Sequence, residues 1–502
     1  MIENLAIGFQ SSLALDNLLY CFIGCALGTI IGVLPGLGPT ATIALLLTVT
    51  YKLPLISAII MLSGIYYGAQ YGGTITSVLL RIPGEAASVV TCIDGYAMAL
   101  RGEAGKALGI AAFGSFIAGT IGTLLLSLLA PPLSKVALMF GPPEYSAVMI
   151  FGLLLVIYIG SSSKIKAILM GAIGLTLGCV GMDPMTAVER FTFGSLFLSD
   201  GINLGIFAMG IFGIGEILYM AENASERTAR DSIKYSGKTK DLLPNRQDWK
   251  LSFMPITRGT LIGFILGVMP GGGAVVASFA SYATEKIFSK HPEKFGNGAI
   301  EGVAGPEAAN NSAVSGAFIP LLTLGIPSNV VMALLIGAFM MHGVIPGPFI
   351  LIKYPEVFWG IITSMYIGNI ILVILNVPLI KFFVKITEIP YALLSPLIVF
   401  ICVIGAFSLN NNIDDIFAMI IFGIIGYLMK KYEYDPAPLV LAFVVGPILE
   451  ESLRQSLVIS RGNLSIFVAS PISTGLITTF LIVVVISVIF DIHKNKVRSV
   501  LK

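Results

Sequence analysis

Asn310, Asn311 and Ser312 stand side by side in a stretch that is otherwise small and apolar. Two adjacent side-chain amides offer several donors and acceptors, more than a plain packing face satisfies, so they mark a place that binds something polar. Ser315, Ser328 and Asn329 extend this set, and Gln70, Thr74, Thr76 and Ser77 form a second set in the first half of the chain. Beside both lies a Pro-Gly break. The first copy reads Gly28-Thr-Ile-Ile-Gly32-Val33-Leu-Pro35-Gly36-Leu-Gly38-Pro39, and the second reads Gly263-Phe-Ile-Leu-Gly267-Val268-Met-Pro270-Gly271-Gly-Gly273. Proline lacks an N–H and clashes with the carbonyl four residues back, and the glycines admit backbone angles that end a helix. A helix that restarts after such a break presents free N–H groups and a positive dipole end, which suits an anion such as a carboxylate. Gly36, Gly38, Thr40 and Thr42 occupy one restart; Gly271, Gly272, Gly273 and Ser278 occupy the other. The carbonyl ends at Pro35-Gly36 and Pro270-Gly271 are candidate ligands for Na⁺. Arg81 is a candidate counter-ion for an anion, with a helix-end arginine as the plainer alternative. Glu85, Glu301 and Glu307 are candidate proton relays, read more simply as solvated loop charges.

Covalent chemistry has little support. There is no His-Glu-x-x-His, Gly-x-Ser-x-Gly or Gly-x4-Gly-Lys-Ser/Thr, and the histidines are His291, His342 and His493 alone. The chain is expected not to be an enzyme, to need no cofactor, and not to use ATP directly. The five cysteines are scattered without ligand spacing and read as small packing residues.

The residues that position these groups belong to a membrane protein. The chain is 56% hydrophobic and 12% charged, with a mean hydropathy of +0.92, against about 25% charged residues in soluble domains. A net charge of +2 without a clustered basic footprint argues against nucleic acid. The N-terminus lacks the basic region of a cleavable signal peptide, so the first span is expected to be retained. Apolar runs fall near residues 15-33, 38-50, 57-80, 107-130, 144-160, 165-181 and 200-220, and again near 255-268, 274-288, 312-341, 356-380, 389-408, 413-430, 437-449 and 466-490. They predict an all-α polytopic membrane protein with about 12–14 transmembrane or re-entrant helices. In lipid a broken helix is tolerated only where protein or a water-filled cavity satisfies its freed groups. Matched broken helices in two halves point to the substrate site of a secondary transporter; simple kinks with Gly-x-x-x-Gly faces are the plain alternative.

The halves are expected to be inverted repeats. No basic residue precedes Lys52, whereas the 222-258 segment and the tail after Asp491 are rich in Lys and Arg, which places the N-terminus outside and the C-terminus in the cytoplasm. Two further anchors keep the order of the Pro-Gly break: Leu80-Arg81-Ile82-Pro83 answers Leu324-Gly325-Ile326-Pro327, and Met182-Asp183-Pro184 answers Tyr434-Asp435-Pro436. The organisation expected is a first repeat (1-221), a basic cytoplasmic linker (222-254), a second repeat (255-450), and an extra C-terminal helix with a basic tail (451-502).

Gly32-Val-Leu-Pro-Gly-Leu-Gly-Pro39, Tyr67-Gly-Ala-Gln-Tyr-Gly-Gly73, Arg81-Ile-Pro-Gly-Glu85 and Gly305-Pro-Glu-Ala-Ala-Asn-Asn-Ser312 resemble the large membrane subunit of the tripartite tricarboxylate transporters, the TctA family. The resemblance covers roughly residues 15 to 450. It implies a permease of the bacterial inner membrane that works with a small four-helix membrane subunit and a periplasmic solute-binding protein. It also implies uptake of a carboxylate, citrate or another di- or tricarboxylate, driven by a Na⁺ or proton gradient, with the site shifting across the membrane in elevator fashion. The substrate site expected comprises Gly36, Gly38, Thr40, Thr74, Thr76, Gly271, Gly272, Gly273, Asn310, Asn311, Ser312, Ser328 and Asn329. The alternative class is a channel or scaffold subunit without coupled transport.

Overall fold

The computed structural model describes residues 2–34, 38–157, 163–183, 185–222, 239–271, 273–386, 391–479 and 482. The helices that carry the argument are α1 (Ile2–Ser12), α2 (Leu15–Val33), α3 (Gly38–Thr50), α4 (Leu55–Leu80), α5 (Thr91–Leu100), α6 (Ala104–Ala137), α7 (Pro142–Leu155), α8 (Lys164–Gly178) and α9 (Leu204–Glu222). They continue with α10 (Arg246–Val268), α11 (Gly273–Phe288), α12 (Glu301–Leu324), α13 (Val330–Met341), α14 (Pro355–Asn376), α15 (Tyr391–Asn410), α16 (Ile413–Lys431) and α17 (Pro436–Ile459). A short antiparallel pair, β1 (Gly181–Met182) with β2 (Glu189–Arg190), is the one sheet among the described residues. Helices α2, α6, α9, α10, α14 and α17 are long and apolar enough to cross a membrane, and α3, α7, α13 and 395–410 of α15 are shorter apolar helices. The chain is a polytopic all-α membrane protein.

Two long helices fall outside the apolar set because they need no lipid face. Every residue from 57 to 79 of α4 and from 302 to 323 of α12 is buried, so their glycines and polar side chains meet protein on all sides. The apolar run at 312-341 is accordingly two helices. Gly325, at φ 71°, ends α12, and α13 restarts at Val330. Residues 246 to 254, read from sequence as linker, form the first turns of α10, capped by Asn245, whose Oδ1 accepts from the N–H groups of Gln247 and Asp248. About half of the basic linker (223–238), the basic tail and much of the 466-490 run lie outside the described residues.

The chain divides into two compact units, residues 1–137 with 203–433 and residues 138–202 with 434–502. Each unit draws on both halves of the sequence. In the first unit α2 lies against α4 and α10 against α12, backbone on backbone. A methyl group added to Gly24, Gly28 or Gly32 would strike the carbonyls of Met61, Ile65 and Ala69; one added to Gly259, Gly263 or Gly267 would strike those of Gly305, Ala309 and Ala313. The first helix of each pair repeats at an offset of 235 residues and the second at 244, so the duplication seen in the glycines extends through both helices. Small residues four apart permit this approach, and close van der Waals packing holds the pair without a hydrophobic driving force between helices.

The halves also exchange elements reciprocally. Helix α6 of the first half lies beneath the segment leading into α10, with Gly105 and Gly109 under Asp241 and Leu242, while α14 of the second half receives α1, with Gly8 under the Trp359 carbonyl. Helix α9 packs on α16, where Phe207 and Phe422 meet edge to face at 5.0 Å. In the second unit α7 and α8 pack on α17, and Gly174 sits under the Leu439 carbonyl. There Arg454 binds Asp183 at 2.6 Å and Glu450 at 3.2 Å, and the Arg454 guanidinium holds the Asp183 carboxyl below the usual carboxylate range. The Asp183-Pro184 anchor therefore answers Asp435 in sequence only. Asp435 caps α17 through the Ala437 N–H, and the residue with that role at the start of α9 is Asn203, which caps through Gly205.

Two outcomes follow. Gly263→Leu is expected to abolish the folded monomer in detergent gel filtration, since overpacking costs about 1–3 kcal/mol and a collision with a rigid carbonyl more. Gly475→Ala, with open space around it, should elute as wild type. Arg81 ends α4 in the left-handed region at φ 56°, where its counterpart is Gly325. A non-glycine residue there costs about 1–2 kcal/mol, so Arg81→Gly should raise the unfolding temperature, and a fall would show that the guanidinium matters more than the backbone.

Candidate functional site

The first unit holds a polar cluster between its two central helices, built from the turns that follow them. Beyond α4 the chain turns at Ile82-Pro83-Gly84, and Glu85 accepts from the Ala87 N–H at 2.8 Å to start a short 3-10 turn. Beyond α12 it turns at Ile326-Pro327-Ser328, and Asn329 accepts from the Met332 N–H at 3.0 Å to start α13. These two cap residues occupy equivalent places, and each reaches across to the other half. Asn310 on α12 donates to Glu85 Oε1 at 3.3 Å, and Asn329 donates to Tyr66 Oη on α4 at 3.3 Å. Tyr66 and Asn310 are themselves equivalent at the 244-residue offset. The cluster is thus a pair of reciprocal bonds with different side chains at matching positions.

Around Glu85 the donors converge. With its amide nitrogen turned toward the carboxylate, Gln70 donates to Glu85 Oε1 at 2.8 Å and to Asn310 Oδ1 at 2.5 Å. Glu307, one turn before Asn311, accepts from Thr74 at 2.8 Å on one oxygen and from Thr91 at 2.5 Å on the other. Both carboxylates are buried, with exposures of 8% and 1%, and neither forms an ion pair among the described residues. Their partners are neutral amides, hydroxyls and one backbone N–H. Burying a charge is costly unless it is paired. Sequence reasoning set both aside as solvated loop charges, and burial overturns that. The signal available was spacing, since Glu307 and Asn310 three apart share one helix face. Glu301, by contrast, is half-buried in the first turn of α12. Arg81 is exposed, its guanidinium 5.8 Å from the Tyr96 ring centre, in the helix-end role.

The consecutive polar residues of α12 part company. Asn310 faces Glu85; Asn311 donates to Ser115 Oγ of α6 at 2.7 Å and to the Glu307 carbonyl at 3.1 Å; Ser312 donates to the Thr260 carbonyl of α10 at 2.8 Å. Thr74 belongs with Glu307. Thr76 donates to the Gly73 carbonyl at 3.2 Å and its own carbonyl receives the Arg81 N–H, a helix-end role. At the second break Met269 is extended, Gly271 and Gly273 have φ of 78° and 54°, and the Gly271 N–H donates to the Ser328 carbonyl at 3.0 Å. Ser328 Oγ is buried without a partner. Helix α11, which follows, packs Ala274 and Ala277 against Ala87, two residues past Glu85, and Ser278 donates to the Pro306 carbonyl at 3.3 Å. At the first break Gly38 has φ 50°, Thr42 donates to its carbonyl at 3.0 Å, and Thr40 is half-buried. Gly36 and Gly272 lie outside the described residues. The second break and the carboxylate cluster therefore meet, while Ser312 bonds to α10 and Thr76 within the end of α4.

Two halves with equivalent packed helices and equivalent turns meet at this buried polar cluster, the architecture of a duplicated membrane protein. The comparisons give its family. Residues 18–441 match the model of the tripartite tricarboxylate transporter TctA family. An uncharacterized 52.8 kDa protein in the TAR-I ttuC′ 3′ region of Agrobacterium vitis is 51% identical over 496 residues, 99% of this chain and 98% of that protein. An uncharacterized protein in the TAR-II ttuC′ 3′ region of the same organism is 53% identical over 234 residues, 47% of this chain and 97% of its own length. No solved structure matches the chain. This protein belongs to the TctA family of membrane permeases.

The division of roles on α12 can be tested. Asn310→Leu removes a donor from a buried carboxylate, a loss of about 1–3 kcal/mol, and is expected to lower transport at least tenfold with normal membrane insertion. Ser312→Ala should stay within twofold of wild type. Equal losses in both would place the site elsewhere.

Proposed function

We propose that the chain is the large transmembrane permease subunit of a binding-protein-dependent secondary transporter that takes up a di- or tricarboxylate with Na⁺ or H⁺ and carries out no covalent chemistry on it. Family membership supports the substrate class. The single observation that carries coupling to a cation is the pair of buried carboxylates, Glu85 and Glu307, without an ion-pair partner among the described residues. An anion cannot bind beside two such charges unless positive charge accompanies it, because unscreened repulsion at low dielectric far exceeds thermal energy. The partners are a small four-helix membrane subunit and a periplasmic solute-binding protein. The site of action is the bacterial inner membrane, with the N-terminus outside and the C-terminus cytoplasmic. Residues 1-221 and 255-450 are the two inverted repeats, joined by the 222-254 linker and followed by 451-502. The substrate's carboxylates meet the restarted helix at Gly271 to Gly273, and movement of the site across the membrane completes transport.

Reconstitution provides the test. In proteoliposomes holding the chain with both partners, labelled carboxylate should accumulate only while a Na⁺ or proton gradient is imposed. Accumulation that requires ATP, or that only equilibrates substrate under every gradient, would replace this reading with a pump or a channel.

A further inference from the structure

A small cavity lies beside the Glu307 arm of the cluster. It has a volume of about 10 Å³ and is lined by Tyr71 and Thr74 of α4, Ser115 of α6 and Asn376 at the end of α14, with Ile75, Leu108 and Ile380 among its apolar walls. That is close to the smallest space that admits a single water-sized body. Four of the lining residues carry a side-chain oxygen, and two of those oxygens are in deficit. Tyr71 Oη and Asn376 Oδ1 are buried without a hydrogen-bond partner, on residues 3% and 4% exposed. Asn376 uses its nitrogen on the Leu372 carbonyl at 2.9 Å, which leaves Oδ1 as a bare acceptor. The other two oxygens connect to the buried charge. Thr74 donates to Glu307 Oε2 at 2.8 Å, and Ser115 Oγ lies 3.4 Å from the Glu307 carbonyl while receiving the Asn311 amide at 2.7 Å.

We propose that this cavity is a binding site for one dehydrated Na⁺, held by Tyr71 Oη, Thr74 Oγ1, Ser115 Oγ and Asn376 Oδ1 and balanced by the Glu307 carboxylate behind Thr74. Hard cations prefer oxygen ligands of this kind. A cation satisfies both orphaned oxygens at once and brings positive charge near Glu307, which is buried without an ion-pair partner among the described residues. A water would satisfy the oxygens but bring no such charge. The ligands come from the central helix of one half, from α6, and from the end of α14 in the other half, so an ion there ties the repeats together. The inference rests on the symport reading for its role in coupling, but the binding is measurable without substrate.

The experiment is thermal unfolding of the purified full chain in NaCl, KCl and choline chloride at one ionic strength, without carboxylate. NaCl should raise the unfolding temperature saturably, and choline should not. Asn376→Leu and Glu307→Gln should raise the half-saturating Na⁺ concentration at least tenfold, Tyr71→Phe several-fold, and Glu450→Gln in the second unit not at all. If Glu307→Gln fails to fold, Asn376→Leu and Tyr71→Phe carry the test. Unchanged Na⁺ dependence in these two, or an unfolding temperature that responds to pH but not to Na⁺, overturns the site in favour of a water or a proton carrier. Loss of Na⁺ dependence without any carboxylate uptake by the wild type would leave the site standing and remove the proposed function.

Discussion

Everything in the first unit depends on two helices being allowed to touch along their backbones. Because Gly28 and Gly32 sit directly under Ile65 and Ala69, and Gly263 and Gly267 under Ala309 and Ala313, α4 and α12 are wrapped closely enough to lose all contact with lipid. Only a helix enclosed in that way can carry Gln70, Thr74, Glu307, Asn310 and Asn311 through the depth of a membrane, since each would otherwise expose an unsatisfied group to hydrocarbon. The glycines that permit close packing thus also permit the chemistry. The same enclosure sets its terms, because every buried donor and acceptor then needs a protein partner or a ligand.

The pattern of partners inside that enclosure is lopsided. Glu85 receives Gln70, Asn310 and the Ala87 N–H, and Glu307 receives Thr74 and Thr91. Every contact comes from a neutral group, and none is an ion pair among the described residues. Elsewhere the fold pairs a buried acid with a base, as where Arg258 Nε donates to Glu285 at 2.9 Å. Among the described residues Glu85 and Glu307 have no such base. Were a cation and an anion both to bind there, linkage would have each raise the other's affinity by the same factor.

Much of the framework was legible in the sequence because its signals are local. The runs at 144-160, 274-288, 356-380 and 413-430 became α7, α11, α14 and α16 with small shifts at their ends, and the matched Gly32/Gly267 and Leu80/Leu324 anchors became equivalent contacts and equivalent turns. The site was legible only in part. Asn310, Asn311 and Thr74 stood out as polar residues in apolar surroundings, whereas Glu85 sits in Arg-Ile-Pro-Gly-Glu, which reads as a solvated turn. What hides it is the packing of Ala87 against Ala274 and Ala277 from the other half, a contact no local pattern announces. Tyr71, Ser115 and Asn376 are equally silent, each a lone polar residue on a different helix. The Asp183 anchor failed for the opposite reason, since a short Asp-Pro match recurs easily and only the Arg454 contact shows what Asp183 does.

Duplication and divergence have separate jobs here. The repeated features are geometric: the glycine ladders, the left-handed residue that closes each central helix, the Pro-centred turn and the cap that follows. The features that differ are chemical. Asn329 stands at the position equivalent to Glu85 and Asn310 at that equivalent to Tyr66, while Glu307 has its polar partners in the first half. A fully symmetric core would present two identical half-sites. Replacing one member of each pair with a neutral amide or phenol keeps the reciprocal bonds while setting where the charge lies. The backbone symmetry therefore supplies two equivalent turns on which the chain can hold a broken helix. The asymmetry of the side chains decides that the carboxyl groups of the cluster are those of Glu85 and Glu307.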